Sequence, residues 1–386
     1  MKYADLFLNE LTQEIIPFWE KNSIDKQYGG YFTCIDHKHC VYDTDKFIWL
    51  QCRQVWMFAT FYEQINPKKE WLDIAKNGAD FLLQYGHDGH YNWFFSLDQN
   101  GAPLIQPYNI FSYTFACMAF SKMYAITHEE KYKIAFVNTL DAIEKRKENP
   151  KDRWNKSISE SRALKNFALP MILCNLYKEL GPFIDENIKK ERIEKCVSEI
   201  FTDFWVEEKG ILVENVTLQG DYSNTFDGRL FNPGHGLEAM WFIMDLGVQY
   251  QRNDWIENSI SKALLLIERG WDNENMGIFY FLDAEGHPPQ QLEWDQKLWW
   301  VHLEAMICFL KGYELTQNKE CFSWFEKIHE YTWTHFRDKK NKGEWFGYLN
   351  REGRVLLPLK GGKWKGCFHV PRALLHLHQI ANRIDL

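Results

Sequence analysis

The chain has 386 residues, a net charge of −8 and 25% charged residues. That length fits one large domain or two ordinary ones, and its mild acidity offers nothing to attract nucleic acid. No apolar run reaches the roughly 18 residues that a membrane span needs. The N-terminal stretch Met1-Lys-Tyr-Ala-Asp-Leu6 opens an amphipathic helix without the apolar centre of a signal peptide. Nine cysteines include no Cys-x-x-Cys, and Cys117, Cys174 and Cys308 lie inside apolar helical runs. That pattern suits reduced, buried thiols in a cytoplasmic protein.

Periodicity predicts five helix pairs: 46–64 with 69–85, 109–126 with 130–147, 164–180 with 187–204, 237–251 with 255–268, and 296–316 with 319–336. In the third pair, the alternating charges of Glu186 to Lys195 suit a solvated helix face. Between pairs, a pattern of glycine, aromatics, an apolar residue and Asp or Asn recurs. It occurs at Gly29–Asp36, Gly89–Asp98, Gly277–Asp283 and Glu344–Asn350, and more weakly at Gly210–Thr217. Each reads as a short hairpin. The copies recur at about 62 to 67 residues, with one degenerate copy expected around Asn149–Lys156.

Six units of about 64 residues fill the chain. Six helical hairpins can stack as an open solenoid or close on themselves. The one set of helices is apolar nearly all round, as buried helices are, which favours closure. The expected fold is all-α: a single (α/α)6 barrel (toroid) spanning residues 1–386, with short hairpins framing a central pocket at one end.

Several residues are candidates for that pocket. Trp49, Arg53 and Trp56 share one helical stripe. An arginine there is either paired with a buried carboxylate or binds a substrate oxygen. In Arg229-Leu-Phe-Asn-Pro-Gly-His-Gly-Leu-Glu238, Asn232 and Pro233 suit a helix start, and His235 and Glu238 share a face. His302 and Glu304 sit near another helix start but two residues apart, so they cannot share a face. Lys360-Gly-Gly-Lys-Trp-Lys-Gly-Cys-Phe-His369-Val-Pro-Arg372 is a glycine–lysine loop leading into the last helix. It lacks P-loop spacing and reads either as a basic loop beside an anionic intermediate or as a solvated surface loop. A zinc site from His235, Glu238, His302 and Glu304 is conceivable, but no HExxH-type spacing supports it; no metal is expected. His37-Lys-His-Cys40 reads as a polar hairpin tip.

Together these segments resemble the N-acylglucosamine 2-epimerase family. The matching stretches are Gly29–Cys34, Lys46–Trp56, Asn232-Pro-Gly-His-x-Leu-Glu238, Lys297–Met306, Glu344–Leu349 and Lys365–Arg372. The resemblance implies an (α/α)6 barrel, commonly homodimeric, that interconverts N-acetylglucosamine and N-acetylmannosamine. It implies His235 and His369 as the acid/base pair, with Arg53, Glu238, His302, Glu304 and Arg372 in the site. Trp49 is added as a stacking surface for the sugar. ATP activation without consumption is also implied, although no motif marks a nucleotide site. Histidine suits both proton transfers because it titrates near neutrality. One rival reading is a glycoside hydrolase using two of Glu238, Glu304, Asp227 and Asp295, and related sugar epimerases or isomerases are nearer alternatives. A non-catalytic binding protein would leave the two histidines without a purpose.

Overall fold

The computed structural model describes residues 2–151, 153 and 158–386. It begins with α1 (Tyr3–Glu10), which passes through a π turn (Leu11–Ile15) into α2 (Ile16–Asn22). Next come α3 (Ile48–Gln64), α4 (Lys69–Tyr85), α5 (Ile110–Thr127), α6 (Glu130–Arg146) and the short α7 (Ser159–Arg162). The chain continues through α8 (Ala168–Glu179), α9 (Glu186–Thr202) and the short α10 (Phe226–Arg229). It ends with α11 (Pro233–Gln249), α12 (Asn253–Gly270), α13 (Trp299–Thr316), α14 (Lys319–His335) and α15 (His369–Arg383).

The long helices form two sets. In α13 every residue from Trp299 to Gly312 is buried, and α3, α5 and α11 are nearly as enclosed. Such helices have no polar face to give to solvent. By contrast, α4, α6, α9, α12 and α14 bury one stripe each, as α4 does with Trp71, Ala75, Gly78, Ala79 and Leu82. Each enclosed helix packs against the amphipathic helix that follows it. The enclosed helices also pack in order, α3 on α5, then α8, α11, α13 and α15. Helix α15 takes α1 as its amphipathic partner, and Ala4 N–H donates to Leu386 O at 3.1 Å. Between α15 and α3, Gln379 Nε2 donates to Gln64 Oε1 at 3.1 Å, and the rings of Phe368 and Trp56 lie 5.8 Å apart.

Tryptophan fills much of this core because its polar atom finds partners. Trp19 donates to Glu344, Trp93 to Thr139, Trp241 to Glu304 and Trp345 to Glu10, at 2.7 to 3.0 Å.

The expected hairpins form at 96–105 and 348–357, closed by turns in which Gly101 N–H bonds Asp98 O and Gly353 N–H bonds Asn350 O. The strand pairing also does something the periodicity did not reveal. The strand returning from an amphipathic helix pairs with the strand that enters the same unit's enclosed helix. Lys46–Phe47 pairs with Ser96–Leu97, Leu164–Asn166 with Asn215–Thr217, Leu230–Phe231 with Leu282–Asp283, and Lys297–Leu298 with Tyr348–Leu349. Thus Lys46–Phe47, Leu164–Asn166 and Lys297–Leu298 are strands where helix was expected. Helix α11 starts at its Asn232 cap, as Asn232-Pro233 suggests, ahead of the apolar run that begins at Leu237. Half of the degenerate copy expected at 149–156 (residues 152 and 154–156) lies outside the described residues.

Three buried aspartate–lysine ties reinforce the strand end. Asp25, Asp272 and Asp338 each follow an amphipathic helix and accept two backbone N–H bonds from the turn through Oδ1. Their Oδ2 atoms hold Lys46, Lys297 and Lys360 at 2.9, 3.0 and 2.8 Å, with no side chain in these pairs more than 3% exposed. Lys46 also donates to Gly29 O and Gln99 O, so one ammonium joins turn, entry strand and return hairpin.

Candidate active site

The starts of α11, α13 and α15 lie at the strand end and carry the histidines. Asn232 caps α11, its side chain accepting His235 N–H at 3.1 Å, and Pro233 occupies the first turn. The two glycines flanking His235 allow close packing: a Cβ on Gly234 would meet Val301 Cγ2 at 2.7 Å, and one on Gly236 would meet Leu266 Cδ1 at 2.8 Å. His369 is the first residue of α15.

One turn deeper lies a charged cluster. Arg372 Nη2 donates to Glu238 Oε1 at 2.7 Å and to Glu304 Oε1 at 2.6 Å. Glu304 also accepts from Trp241 Nε1 at 2.9 Å and bonds His369 Nδ1 at 2.7 Å. Glu304 is fully buried, so each of these donors offsets its lost hydration. Burial, with Arg53 and Arg372 nearby, holds His369 well below the ordinary imidazole range. A neutral imidazole bonded through Nδ1–H leaves Nε2 as its free base.

His235 has its own carboxylate. Its Nδ1 lies 2.9 Å from Glu214 Oε1. Burial opposes the charge on His235, but Glu214 and Glu238 overcome it and raise its pKa above the usual value. The Trp300 ring joins the two centres, 5.0 Å from His235 and 5.8 Å from His369, tilted by 36° and 37°. The imidazoles therefore cannot lie farther apart than those two steps laid end to end.

Arg53 approaches the same cluster from α3. Its guanidinium carbon lies 4.5 Å from the Trp49 ring, 4.1 Å from Phe115 and 4.5 Å from Phe368. The buried Arg–carboxylate pair weighed from sequence is not formed among the described residues. Nε of Arg53 and Nε1 of Trp49 are buried without partners. Burial lowers the Arg53 pKa to about 9, with Glu238 acting in the opposite direction. Trp49 is half-buried and lies 5.8 Å from Trp364, which is half-exposed.

The structure does not bring His302 into this cluster. Its Nδ1 bonds Leu298 O at 2.7 Å, its Nε2 accepts from Ile278 N–H at 2.9 Å, and its ring stacks on Tyr331 of α14. Burial lowers its pKa to about 3. The expected basic loop is also different: Lys360 and Lys365 turn inward, to Asp338 and Glu344, and are essentially unexposed. Neither is free to cradle a phosphate or an anionic intermediate. Glu238, Glu304 and His369 are close enough to surround a cation, but the Arg372 guanidinium already bridges the two carboxylates there. The same bridge counts against a hydrolase built on Glu238 and Glu304, since neither of these carboxyl groups is free to protonate a leaving group. Two neighbours of these histidines were not picked out from sequence, Glu214 and Trp300. Glu214 lay unremarked within the weakest hairpin copy, and Trp300 sits beside an identical residue.

Residues 30–373 match the family model for N-acylglucosamine 2-epimerase (GlcNAc 2-epimerase). The chain is 39% identical to the N-acylglucosamine 2-epimerase of Bos taurus, over 99% of this chain and 92% of that protein. It is 40% identical to that of Mus musculus, over 95% and 89%. The structure of cellobiose 2-epimerase from Bacillus thermoamylovorans B4167 superposes with a TM-score of 0.84 at 22% identity, covering 98% of this chain and 99% of that one; at that identity the likeness concerns the fold. A match across most of its length, carried by relatives at about 40% identity, makes this chain a member of the N-acylglucosamine 2-epimerase family.

Proposed function

We propose that the protein is a carbohydrate 2-epimerase that interconverts N-acetyl-D-glucosamine and N-acetyl-D-mannosamine. The observation that carries this reading is a pair of imidazoles, each held through Nδ1 by a carboxylate and each next to the same indole ring. A closed pyranose has no acidic hydrogen at C2, so the ring opens first and the C1 aldehyde acidifies that hydrogen. One histidine removes the C2 proton, and the electron pair moves onto the aldehyde oxygen as an enolate. The other histidine returns a proton to the opposite face. Arg53, with its unpartnered Nε, and Arg372 are placed to stabilise the enolate oxygen. Glu238 and Glu304 hold Arg372 in position. Trp49 offers a face for the sugar, and His302 serves the frame.

A (α/α)6 barrel formed as one domain is the architecture we read here, supported by the ordered packing of the enclosed helices and the contacts between α3 and α15. Among the described residues no helix is long and apolar enough to cross a membrane. Nine free thiols, eight of them buried, fit a reducing cytoplasmic setting. The chemistry requires no cofactor, and a homodimer with ATP as activator follows the family resemblance alone.

The test is to incubate the protein with N-acetylglucosamine, with and without ATP, and resolve the two epimers. Appearance of N-acetylmannosamine supports the reading. Turnover of cellobiose or mannose, with both amino sugars unchanged, would instead assign the chain to a neighbouring specificity.

A further inference from the structure

The two carboxylates that hold the histidines are not equivalent. Glu304 shares its charge among His369, Trp241 and Arg372, and the guanidinium matches it. Glu214 has a single side-chain partner among the described residues, His235. Its backbone is pinned on both sides: its N–H donates to Leu230 O at 2.7 Å, and its carbonyl accepts from Phe167 N at 2.9 Å and Asn166 Nδ2 at 3.0 Å. The backbone that carries this carboxylate is therefore anchored among the strands, on a different element from the helix that carries the imidazole.

The charges around each histidine differ in sign. His235 faces Glu214 from the strand segment and Glu238 from its own helix, while α13 presents the uncharged Trp300. Tyr280, close to Glu214, is a neutral phenol held so by burial. His369 faces Arg53 from α3, Arg372 from its own helix and Lys365 from the preceding loop, against Glu238 and Glu304.

We propose that Glu214 is a positioning residue for the reaction: by accepting from Nδ1–H at 2.9 Å it fixes the imidazole, turns His235 Nε2 toward the substrate and favours its protonated, donating form, with His369 opposite as the base. The proposal rests on the epimerase reading. In the resting enzyme the C2 proton passes to His369 Nε2, the C–H pair becomes the enolate, and the proton on His235 Nε2 passes to the other face of C2. The enzyme is left with a charged His369 and a neutral His235. Exchange with solvent restores the resting state. The reverse epimer needs the other tautomer of the same singly protonated pair, with the proton on His369 and His235 neutral.

The test uses Glu214→Gln, which keeps an acceptor for Nδ1–H but removes the charge, and Glu214→Asp as the conservative control. Nitrogen-15 NMR of the substrate-free protein follows the His235 ring, assigned by its loss in His235→Asn. In Glu214→Gln the His235 midpoint should fall by about one pH unit or more, a tenfold change in its protonation equilibrium. Glu214→Asp should keep most of the raised midpoint. In turnover of N-acetylglucosamine, kcat should fall more than KM changes, and the one limb owned by His235 should move to lower pH while the His369 limb stays. An unmoved His235 midpoint, or a uniform loss of rate at every pH, would overturn the proposal. The NMR readout needs no substrate: a shifted His235 in a protein that leaves both amino sugars unchanged would refute the functional reading and leave the Glu214 pairing standing.

Discussion

Arg372 is the group whose removal tests the charged cluster most directly. Its Nη2 atom is the shared donor to Glu238 and Glu304, at 2.7 and 2.6 Å, and all three side chains are at most 7% exposed. Arg372→Met keeps most of the volume and leaves two carboxylates uncompensated. Breaking a buried ion pair costs about 3–5 kcal/mol, a large part of the roughly 5–15 kcal/mol that holds a typical fold together. Urea unfolding should report that loss. Adding Glu304→Gln to Arg372→Met should recover part of it, because one stranded charge is then gone, and the double-mutant cycle isolates the coupling. The catalytic consequence has a definite sign. His369 is held low by burial and by Arg53 and Arg372. Without Arg372, the full charge of Glu304 falls on His369 and raises its pKa. A base is competent only above its pKa, so the acid limb of the rate should move up toward neutral pH. A variant with unchanged urea midpoint and unchanged pH profile would refute the reasoning.

His235→Ala and His369→Ala should each lower epimerisation by about 10²–10⁴-fold with circular dichroism unchanged, and product formed by the unaltered enzyme in deuterated water should carry deuterium at C2; near-normal rates in both folded variants would sink the assignment. His302→Leu should behave oppositely. It strands the Ile278 N–H and the Leu298 carbonyl, costing about 1–3 kcal/mol for each buried unsatisfied group, while turnover per folded molecule stays within a few-fold. Arg53→Met should lower kcat by about 10²–10³-fold, the scale seen when a donor to a developing oxyanion is removed; a change in KM alone would mark Arg53 as a binding group only. Incubation with EDTA should leave turnover intact, since Arg372 holds the carboxylates that a cation would need; loss restored by one divalent ion would reverse that conclusion.

The helix pairs were legible because two periods coexist in the chain, a turn-length one in the apolar residues and a unit-length one in the hairpins. Asn232-Pro-Gly was legible as a helix start because an amide cap and a first-turn proline have few other uses side by side. His302 was not, because the resemblance placed both it and Glu304 in the site, and the sequence could not say which of the two opposed faces the pocket takes. Residues two apart on a helix point roughly 200° apart, so once Glu304 meets Arg372, His302 must face α14. The glycine–lysine loop misled through charge: lysines in a polar run suggest solvent, and the Asp338 turn and Glu344 that bury Lys360 and Lys365 are distant in sequence. Glu214 carried no local mark at all. Its role depends on a strand pairing across the unit, and such pairings have no spacing to read.

The aspartate–lysine ties have a consequence for how this scaffold accepts change. Two of the ties, at Asp25 and Asp272, couple the exit of one helix to the strand that feeds an enclosed helix, so an added residue inside either would pull on the very segments that seat Arg53 or Trp300. The hairpin turns differ among themselves, and that at 98–101 is itself held by the Lys46 bond to Gln99 O. A Cβ on Gly101 would strike Tyr85 at 2.5 Å and one on Gly353 would strike His335 at 2.8 Å, whereas Gly286 faces open space. Insertions that reshape the rim, whether grafted in the laboratory or gathered by descent, therefore meet open space at Gly89 and at Gly286, the latter next to the strand that pairs with Leu230–Phe231, which leads into His235.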